Sequence, residues 1–214
     1  PPTARQYWTH WFRARGEEPY FTDAQHGKGI EAIADAAQAA GVQMNQRRRD
    51  RGMLPRPVRA VVIGFPNVGK SALINRLLNK RVVDSARRAG VTRQLRWVRI
   101  SDEIELLDAP GVLPARLKDQ AAAVKLAICD DIGEASYDNQ RVTAELIELL
   151  KNLQVEQVLQ TRYKLDPTPY TGEDYVQALA DFKYQGDAER AARQLLNDFR
   201  KGILGAIALE LPPS

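Results

Sequence analysis

The chain has 214 residues, of which 44% are hydrophobic and 27% are charged, and its formal net charge is +4. These proportions are typical of a folded protein and exclude a disordered one. No apolar run approaches the roughly 18 residues of a membrane span, so the composition also excludes a membrane-spanning protein. The single cysteine, Cys129, excludes an internal disulfide and is expected to be a core thiol, and no Cys/His cluster is present for zinc.

The charge is unevenly distributed along the chain. Residues 44–99 contain 15 Lys or Arg and only two acidic residues, whereas residues 100–214 contain 12 basic and 20 acidic residues. A basic block on an otherwise acidic chain indicates a polyanionic partner, and we favour nucleic acid because the block flanks a predicted nucleotide-sensing region. The alternative is a solvated basic face.

The first predicted elements precede the basic block. A helix is predicted over residues 3–15, with Tyr7, Trp8, Trp11 and Phe12 at helical spacing, which favours a core position for these rings. Pro19–Asp23 is predicted to be a short strand, Gly27–Gly29 a turn, and residues 30–40 an Ala-rich helix. Gly41–Pro57 is predicted to be an arginine-rich linker.

Residues Gly64 to Ser71 have the spacing G-x-x-x-x-G-K-[ST], which is that of a phosphate-binding P-loop. The flanking sequence agrees, because Arg59–Ile63 reads as a buried strand and Ser71–Leu78 as a helix. In this context backbone N–H groups close on phosphate oxygens, Lys70 adds a positive charge and Ser71 offers a hydroxyl to Mg²⁺. The predicted phosphate-binding residues are Gly64, Asn67, Val68, Gly69, Lys70, Ser71 and Ala72.

Two later features restrict the class of P-loop protein. Thr92 lies in a predicted loop, where it can reach Mg²⁺ and the γ-phosphate. Asp108 ends an apolar strand, where it can hold a Mg²⁺-bound water, and Gly111 can offer its backbone N–H to the γ-phosphate. Together with the P-loop, these residues in this order and spacing indicate the first three sequence motifs of a GTPase. A further strand is predicted at Leu95–Ile100, and residues 119–129 and most of the chain after about 138 are predicted to be helical.

The base-recognition motifs are not in their usual place. The usual fourth motif, N-K-x-D, is not found after Asp108, and Tyr163–Asp166 is a poor match that we interpret as a helix end. Upstream, Phe21–Ile30 resembles the fifth motif, in which the backbone N–H of Ala24 would contact guanine O6. A fifth motif before the first indicates a circularly permuted GTPase, and the fourth motif would then lie just before Pro1.

This motif order resembles the RbgA/YlqF family of ribosome biogenesis GTPases. The resemblance rests on GFPNVGKSALINRL (64–77), AGVTRQLRW (89–97), ELLDAPGV (105–112) and FRKGILGAIALELP (199–212), and it covers essentially the whole chain. It implies GTP hydrolysis coupled to maturation of the large ribosomal subunit, with ribosomal RNA bound by the basic face and the helical tail. It also implies GTP or GDP with Mg²⁺, and a monomer in the cytoplasm or in an organellar stroma or matrix.

The predicted fold class is α/β: a circularly permuted P-loop GTPase followed by a small all-helical domain. The Ras-like strand order 2-3-1-4-5-6 implies that this chain lacks two strands, which would leave an unpaired edge beside the P-loop strand. The predicted parts are 1–43 with the fifth motif, 44–57 as the basic linker, 58–130 with the P-loop and switches, and 131–214 as a helical RNA-binding domain.

The sequence departs from the usual fifth motif at two positions and from Ras-like enzymes, though not from this family, at a third, which bears on specificity and catalysis. Asp23 replaces the usual serine of the fifth motif and Gln25 the usual lysine, while Val112 stands where Ras-like enzymes place a water-orienting glutamine. We therefore expect slow intrinsic hydrolysis that the ribosome stimulates. Neither His10 nor His26 matches the family's catalytic histidine. Asn67 resembles a residue that binds K⁺ in potassium-activated GTPases, which makes K⁺ a candidate cofactor.

Two other functions remain open at this point. One is an RNA-binding assembly factor with a vestigial nucleotide site that does not hydrolyse GTP. Asp23, Val112 and the absent fourth motif favour it, and the intact Lys70, Ser71, Thr92 and Asp108 oppose it. The other is a P-loop ATPase, which the segment resembling the fifth motif disfavours.

Overall fold

A computed structural model describes residues 1–78, 96–102, 104–108, 119–132 and 137–213 of the chain. The chain forms two compact units. The first, the nucleotide unit, spans Gly16–Pro114, and the second, the helical unit, combines Pro1–Arg15 with Ala115–Ser214. Each is described by itself. The predicted boundaries at residues 43, 57 and 130 do not coincide with this division, and they stay a prediction.

The nucleotide unit contains a three-stranded sheet and two helices. These elements are α2 (Ile30–Arg49), β1 (Val58–Val62), α3 (Lys70–Leu77), β2 (Arg96–Arg99) and β3 (Ile104–Asp108). The strand order is β1-β3-β2, with β1 parallel to β3 and β2 antiparallel to β3. This order is the 2-3-1 part of the predicted Ras-like sheet, so the α/β P-loop fold class is confirmed.

The sheet has one face packed and one edge open within the described residues. Ile74 of α3 packs on Val98, Ile104 and Leu106 to form a small buried cluster. On β1, which lies at the sheet edge, 54% of Val61 is exposed, and 71% of the adjacent Ile63 is exposed. Among the described residues no strand pairs with the other edge of β1, which is the arrangement that the sequence predicts beside the P-loop strand.

Two predictions about the first part of this unit are wrong. Residues 20–22 form no strand, and only Asp23 and Lys28 make an isolated antiparallel bridge. The helix predicted over residues 30–40 continues to Arg49, so much of the predicted linker is helical. Gly41 lies buried within this helix, close to β1. A Cβ on Gly41 would come within 2.6 Å of Val58 Cγ2, which is too close for any larger residue. The glycine therefore permits close packing of α2 on β1 rather than ending the helix.

The helical unit is built from six helices among the described residues. They are α1 (Pro2–Arg13), α4 (Gln120–Ile128), α5 (Asn139–Asn152), α6 (Gln157–Tyr163), α7 (Gly172–Lys183) and α8 (Ala188–Arg200). Four of them begin at a residue whose side chain accepts a backbone N–H of the first turn, which stabilises the start of each helix. These caps are Asp119, Asp138, Thr171 and Asp187.

Helices α5, α7 and α8 surround an apolar core. Fully buried residues from all three meet there, including Leu146, Leu179 and Leu195. One carboxylate is also buried, that of Asp198, and it accepts hydrogen bonds from Arg162 Nε at 2.6 Å and from Tyr163 Oη at 3.0 Å. Burial and the nearby carboxylate of Asp198 raise the pKa of Tyr163. A fully partnered buried carboxylate of this kind fixes how α6 packs on α8.

Two predictions about core residues are wrong, one for the aromatic residues of α1 and one for Cys129. None of the four aromatic residues of α1 is buried, and Tyr7 is exposed, although Trp8, Trp11 and Phe12 contact one another with ring centroids 5.0 to 5.9 Å apart. Cys129 caps the C-terminus of α4 and is exposed. Partial desolvation of its thiol and the negative charge of Asp131 nevertheless raise the pKa of Cys129 to about 11.

Among the described residues, no helix is both long and apolar enough to cross a membrane.

Candidate functional site

The P-loop connects β1 to α3 and has the backbone geometry of an anion-binding turn. Gly69 caps the N-terminus of α3 with φ at 96°, a conformation that residues with a Cβ rarely adopt. Asn67 has φ at 59°, in the left-handed region that asparagine tolerates. No side chain caps α3. The helix therefore presents backbone N–H groups and the positive end of its dipole to the loop, where a phosphate is stabilised.

Lys70 begins α3 and its side chain lies back over the loop. Its Nζ donates to the carbonyl oxygen of Phe65 at 2.7 Å and to that of Gly64 at 3.2 Å. The ammonium group is therefore held directly beside the loop backbone. Ser71 follows in the first turn of α3 and is partly buried. The predicted positive charge and the predicted hydroxyl thus both lie at the turn between β1 and α3.

Asp108 is brought to the same end of the sheet by strand register. In the parallel pair, Asp108 of β3 lies opposite Val62, the last residue of β1. Because the carboxyl ends of neighbouring parallel strands meet at one sheet edge, Asp108 lies next to the start of the P-loop. The structure describes its backbone only. Thr92, Gly111 and Val112 lie outside the described residues.

The segment that resembles the fifth motif forms a closed loop from Asp23 to Lys28. The backbone N–H of each of these two residues donates to the carbonyl oxygen of the other, at 2.9 and 3.1 Å. Gly29 follows with φ at 71°, and a Cβ there would overlap the carbonyl oxygen of Phe21. The loop is therefore a compact turn whose exit requires glycine. We call residues 23–29 the base loop.

Asp23 and His26 stabilise the base loop from within. The Asp23 carboxylate accepts the His26 backbone N–H at 3.0 Å and lies 2.7 Å from His26 Nδ1. The backbone hydrogen bond from His26, followed by the contact with its ring, lowers the pKa of Asp23. An aspartate at this position therefore has a structural use that serine could fill only in part, and the described contacts of His26 are with Asp23 of the same loop.

A residue that sequence reasoning missed connects the base loop to the P-loop helix. Arg76 of α3 donates from Nε to the carbonyl oxygen of Ala24 at 3.0 Å and from Nη2 to that of Gln25 at 2.6 Å. These residues are more than 50 positions apart in sequence, and Arg76 is exposed, so nothing in the local pattern identifies it. Because Arg76 lies on the helix that follows the P-loop, these hydrogen bonds connect the base loop to that helix.

A Mg²⁺ ion would find suitable oxygen ligands here. Among the described residues, no group of three or more His, Cys, Asp or Glu side chains could hold a metal. Magnesium at a nucleotide requires less of the protein, because it keeps several waters and takes phosphate oxygens besides one or two side chains. The hydroxyl of Ser71 and the location of Asp108 at the same sheet edge fit that requirement.

The basic block is only partly described. Arg47, Arg48 and Arg49 form the last turn of α2, where their charge also complements the helix dipole. On β2, Arg99 pairs with Asp102 at 3.1 Å. Arg81, Arg87, Arg88 and Arg93 lie outside the described residues.

The poor match to the fourth motif lies far from this chemistry. Tyr163 is the last residue of α6, Lys164 caps that helix, and the Tyr163 ring is buried in the helical unit. Asp166 accepts the backbone N–H of Thr168. The segment is a helix end, as the sequence predicts.

Comparison with known proteins identifies the family. The family described as 50S ribosome-binding GTPase matches residues 59–163. The ribosome biogenesis GTPase A of Priestia megaterium is 31% identical over 99% of this chain and 75% of its own length. The chain belongs to the ribosome biogenesis GTPase A family. The relative from Bacillus cereus is also 31% identical, over 96% of this chain and 71% of its own length.

Solved structures support the fold of this family member. A GDP-bound YlqF superposes with a TM-score of 0.66 at 19% identity, covering 99% of this chain and 78% of its own. A GNP-bound YlqF from T. maritima has a TM-score of 0.61 at 18% identity. The predicted resemblance to the RbgA/YlqF family and the predicted GTPase class are confirmed. In chain order the base loop precedes the P-loop, as in a circularly permuted GTPase.

Proposed function

We propose that this GTPase binds GTP and GDP with Mg²⁺ between the P-loop and the base loop. The observation that carries the proposal is the pair of Arg76 hydrogen bonds, because they join the predicted base-contacting loop to the P-loop helix. The family match from residue 59 does not include the base loop, so guanine recognition depends on this geometry. The backbone N–H of Ala24 is the proposed donor to guanine O6.

Each predicted residue has a role in this proposal. The backbone from Gly64 to Ala72, including Asn67, Val68 and Gly69, surrounds the β-phosphate, and Lys70 supplies charge at the β- and γ-phosphates. Ser71, Thr92 and Asp108 are the proposed residues around Mg²⁺, and Gly111 is the proposed backbone donor to the γ-phosphate. When bound, Mg²⁺ neutralises phosphate charge that develops as the γ-phosphate leaves.

Hydrolysis by the chain alone is proposed to be slow. Valine at position 112 cannot orient a water through a hydrogen bond, so the trigger is expected to come from the ribosome. Asn67 is the proposed K⁺ ligand, and K⁺ would supply charge as an arginine finger does. Turnover should then be higher in KCl than in NaCl at equal ionic strength, and equal rates would remove K⁺ from the proposal.

The proposed partner is the large ribosomal subunit with its RNA, and the proposed role is assembly of that subunit in the cytoplasm. The names of the relatives support ribosome assembly, and the family description refers to the 50S subunit. The arginines at the end of α2 supply positive charge for RNA phosphates. The nucleotide state is proposed to switch this binding through the segments that contain Thr92 and Gly111.

One binding experiment tests the nucleotide site. Fluorescent GDP and ADP are titrated into the wild type and into Ser71→Ala, with Mg²⁺ and with EDTA. We expect the wild type to prefer GDP and to bind more tightly with Mg²⁺, and Ser71→Ala to lose that Mg²⁺ dependence. A matched variant, Ser101→Ala, removes a hydroxyl at a bend distant in sequence from the P-loop and should behave as the wild type. Equal affinity for GDP and ADP in the wild type would contradict the proposal.

A second experiment tests the partner. Large subunits are sedimented with the protein in GDP and in a non-hydrolysable GTP analogue, over a range of salt concentrations. We expect more protein in the pellet with the analogue, and a steep loss of binding as salt rises. Replacement of Arg47 and Arg49 by Gln should reduce that salt dependence. Pelleting that is independent of nucleotide would contradict the switch.

A further inference from the structure

We propose that Arg76 is a positioning residue for base discrimination, which fixes the base loop at a set distance from the P-loop. This inference rests on the proposed guanine-nucleotide site and adds a specificity-determining residue to it. No sequence motif that we recognised assigns a role to the residue. The proposal follows from where its guanidinium group lies.

The contact is a two-point one. Arg76 donates from Nε to the carbonyl oxygen of Ala24 and from Nη2 to that of Gln25. The guanidinium group is planar and its donors are fixed relative to each other, so two successive carbonyls can be held in only one orientation. A single ammonium group could not impose this orientation, because it is a point charge with rotatable donors.

The loop that Arg76 holds is itself closed. The reciprocal backbone hydrogen bonds between Asp23 and Lys28 form its neck, and the Asp23 carboxylate caps the backbone N–H of His26. At Gly27 the loop comes close to the guanidinium, since a Cβ on that glycine would lie 3.5 Å from Arg76 Cζ. A closed loop moves as one body, so a contact that fixes two of its carbonyls also fixes the direction of the Ala24 N–H.

Helix α3 sets the distance between the P-loop and the carbonyls that Arg76 contacts. Arg76 lies six residues after Lys70 on the same helix. At the rise of an α-helix, that spacing is about 9 Å along the axis. The helix therefore sets the separation between the phosphate-binding turn and the base-contacting N–H. A nucleotide whose phosphates lie in the P-loop meets the base loop at a position that Arg76 determines.

The alternative is that Arg76 is an ordinary surface arginine. Arg76 is exposed, and exposed charged contacts contribute little to folding stability. A surface role predicts no effect on nucleotide preference, and a purely structural role predicts an equal effect on every nucleotide. A positioning role predicts an effect only on nucleotides whose base carries an oxygen at position 6.

Three nucleotides separate these outcomes. GDP and IDP both carry O6, IDP lacks the 2-amino group, and ADP carries an amino group at position 6. Dissociation constants for all three are measured with the wild type, Arg76→Met and Arg76→Lys. The matched control is Arg59→Met, which removes an exposed arginine of the same unit that pairs with Glu105 and does not contact the base loop.

For Arg76→Met we expect the affinity for GDP and for IDP to fall about tenfold each, which is about what the loss of a hydrogen bond to a charged group costs. The affinity for ADP should change by less than about twofold. Arg76→Lys should lie between this variant and the wild type. Hydrogen exchange in residues 20–30 should become faster in Arg76→Met, while exchange in β1 is unchanged. Arg59→Met should match the wild type in every assay.

Several results would overturn the inference, and each has its own pattern. If the wild type prefers GDP to ADP and Arg76→Met binds all three nucleotides with unchanged affinity, Arg76 has no positioning role, and the proposed guanine site still stands. An equal loss for GDP, IDP and ADP would show that the variant damages the P-loop instead. A wild type that binds all three equally would overturn the proposed guanine site, and this inference with it.

Discussion

The two compact units differ in how their described parts are stabilised. The helical unit buries leucines and tyrosines from several helices in one continuous core. Among the described residues of the nucleotide unit, the buried cluster consists of Ile74, Val98, Ile104 and Leu106, and apolar residues of and beside β1 are exposed. The helical unit is therefore stabilised by its own apolar core, whereas we expect the nucleotide unit to depend on what it binds.

The difference suggests a division of labour. We expect the helical unit to hold its shape without a ligand, because it buries a continuous apolar core. A nucleotide unit of limited stability responds strongly to a ligand, because any ligand that binds only the folded state adds stability by mass action. Such a response would serve the proposed nucleotide switch, because the ligand would then decide how stable the unit is.

The largest expected effect tests the core of the helical unit. Leu146 is fully buried on α5, and Leu146→Ala should lower the free energy of unfolding of this unit by about 3 kcal/mol, because the truncation leaves a cavity. Its matched control is Val61→Ala on β1, where more than half of the side chain is exposed. That change should cost about 0.5 kcal/mol or less. Chemical denaturation of both variants measures the two losses in the free energy of unfolding. Equal losses would contradict the proposed difference between the two units.

The next effect is ligand stabilisation of the nucleotide unit. GDP with Mg²⁺ at about one hundred times its dissociation constant should add about 2.7 kcal/mol of protection. Hydrogen exchange should slow in β1 and α3 and stay unchanged in α5, α7 and α8. Lys70→Ala should remove the protection, whereas Lys201→Ala, an exposed lysine after α8, should keep it. Equal protection of both units would contradict the division of labour.

A smaller effect is expected at the exit of the base loop. Gly29→Ala adds a Cβ that overlaps the Phe21 carbonyl oxygen and forces a residue with a Cβ to a φ of 71°, at a cost of about 1–3 kcal/mol. Gly52→Ala is the matched control, because Gly52 has a φ of 70° with no atom near the added Cβ. Only Gly29→Ala should lower the affinity for GDP more than the affinity for ADP. The same loss in both variants would assign the effect to backbone strain alone.

The smallest expected effect is the pH dependence of Asp23. Because hydrogen bonds from His26 lower the pKa of Asp23 in the folded protein, its contribution to stability is present above its usual pKa and is lost as pH falls through the lowered value. The difference in melting temperature between wild type and Asp23→Asn should therefore shrink below about pH 4. A carboxyl NMR titration of Asp23 gives the pKa directly, and an unshifted value would contradict the loop geometry.

The sequence predicted the elements whose signals are local. Strand β1 and helix α3 were found within about one residue because an apolar run and a helical period flank the glycine loop. The strand predicted at Pro19–Asp23 is absent at residues 20–22, because a segment with strand propensity forms a strand only when a partner strand pairs with it. Arg76 could not be predicted, since its partners are distant in sequence and its helix position is exposed.

The end of α2 illustrates a different cause of error. Gly41 and the following arginines have the composition of a linker, yet the helix continues to Arg49. The glycine is required by contact with Val58, which lies 17 residues away. Tertiary packing therefore overrode a correct reading of local propensity.

The register of β1 against β3 has a consequence for how this protein can vary. Val62 faces Asp108, and the side chains of a strand alternate between its two faces. One residue inserted within β3 would shift every later pairing with β1 by one position and reverse the face on which each later residue lies. We therefore expect natural or engineered variants to tolerate changes of residue type within Ile104–Asp108 far better than changes of its length.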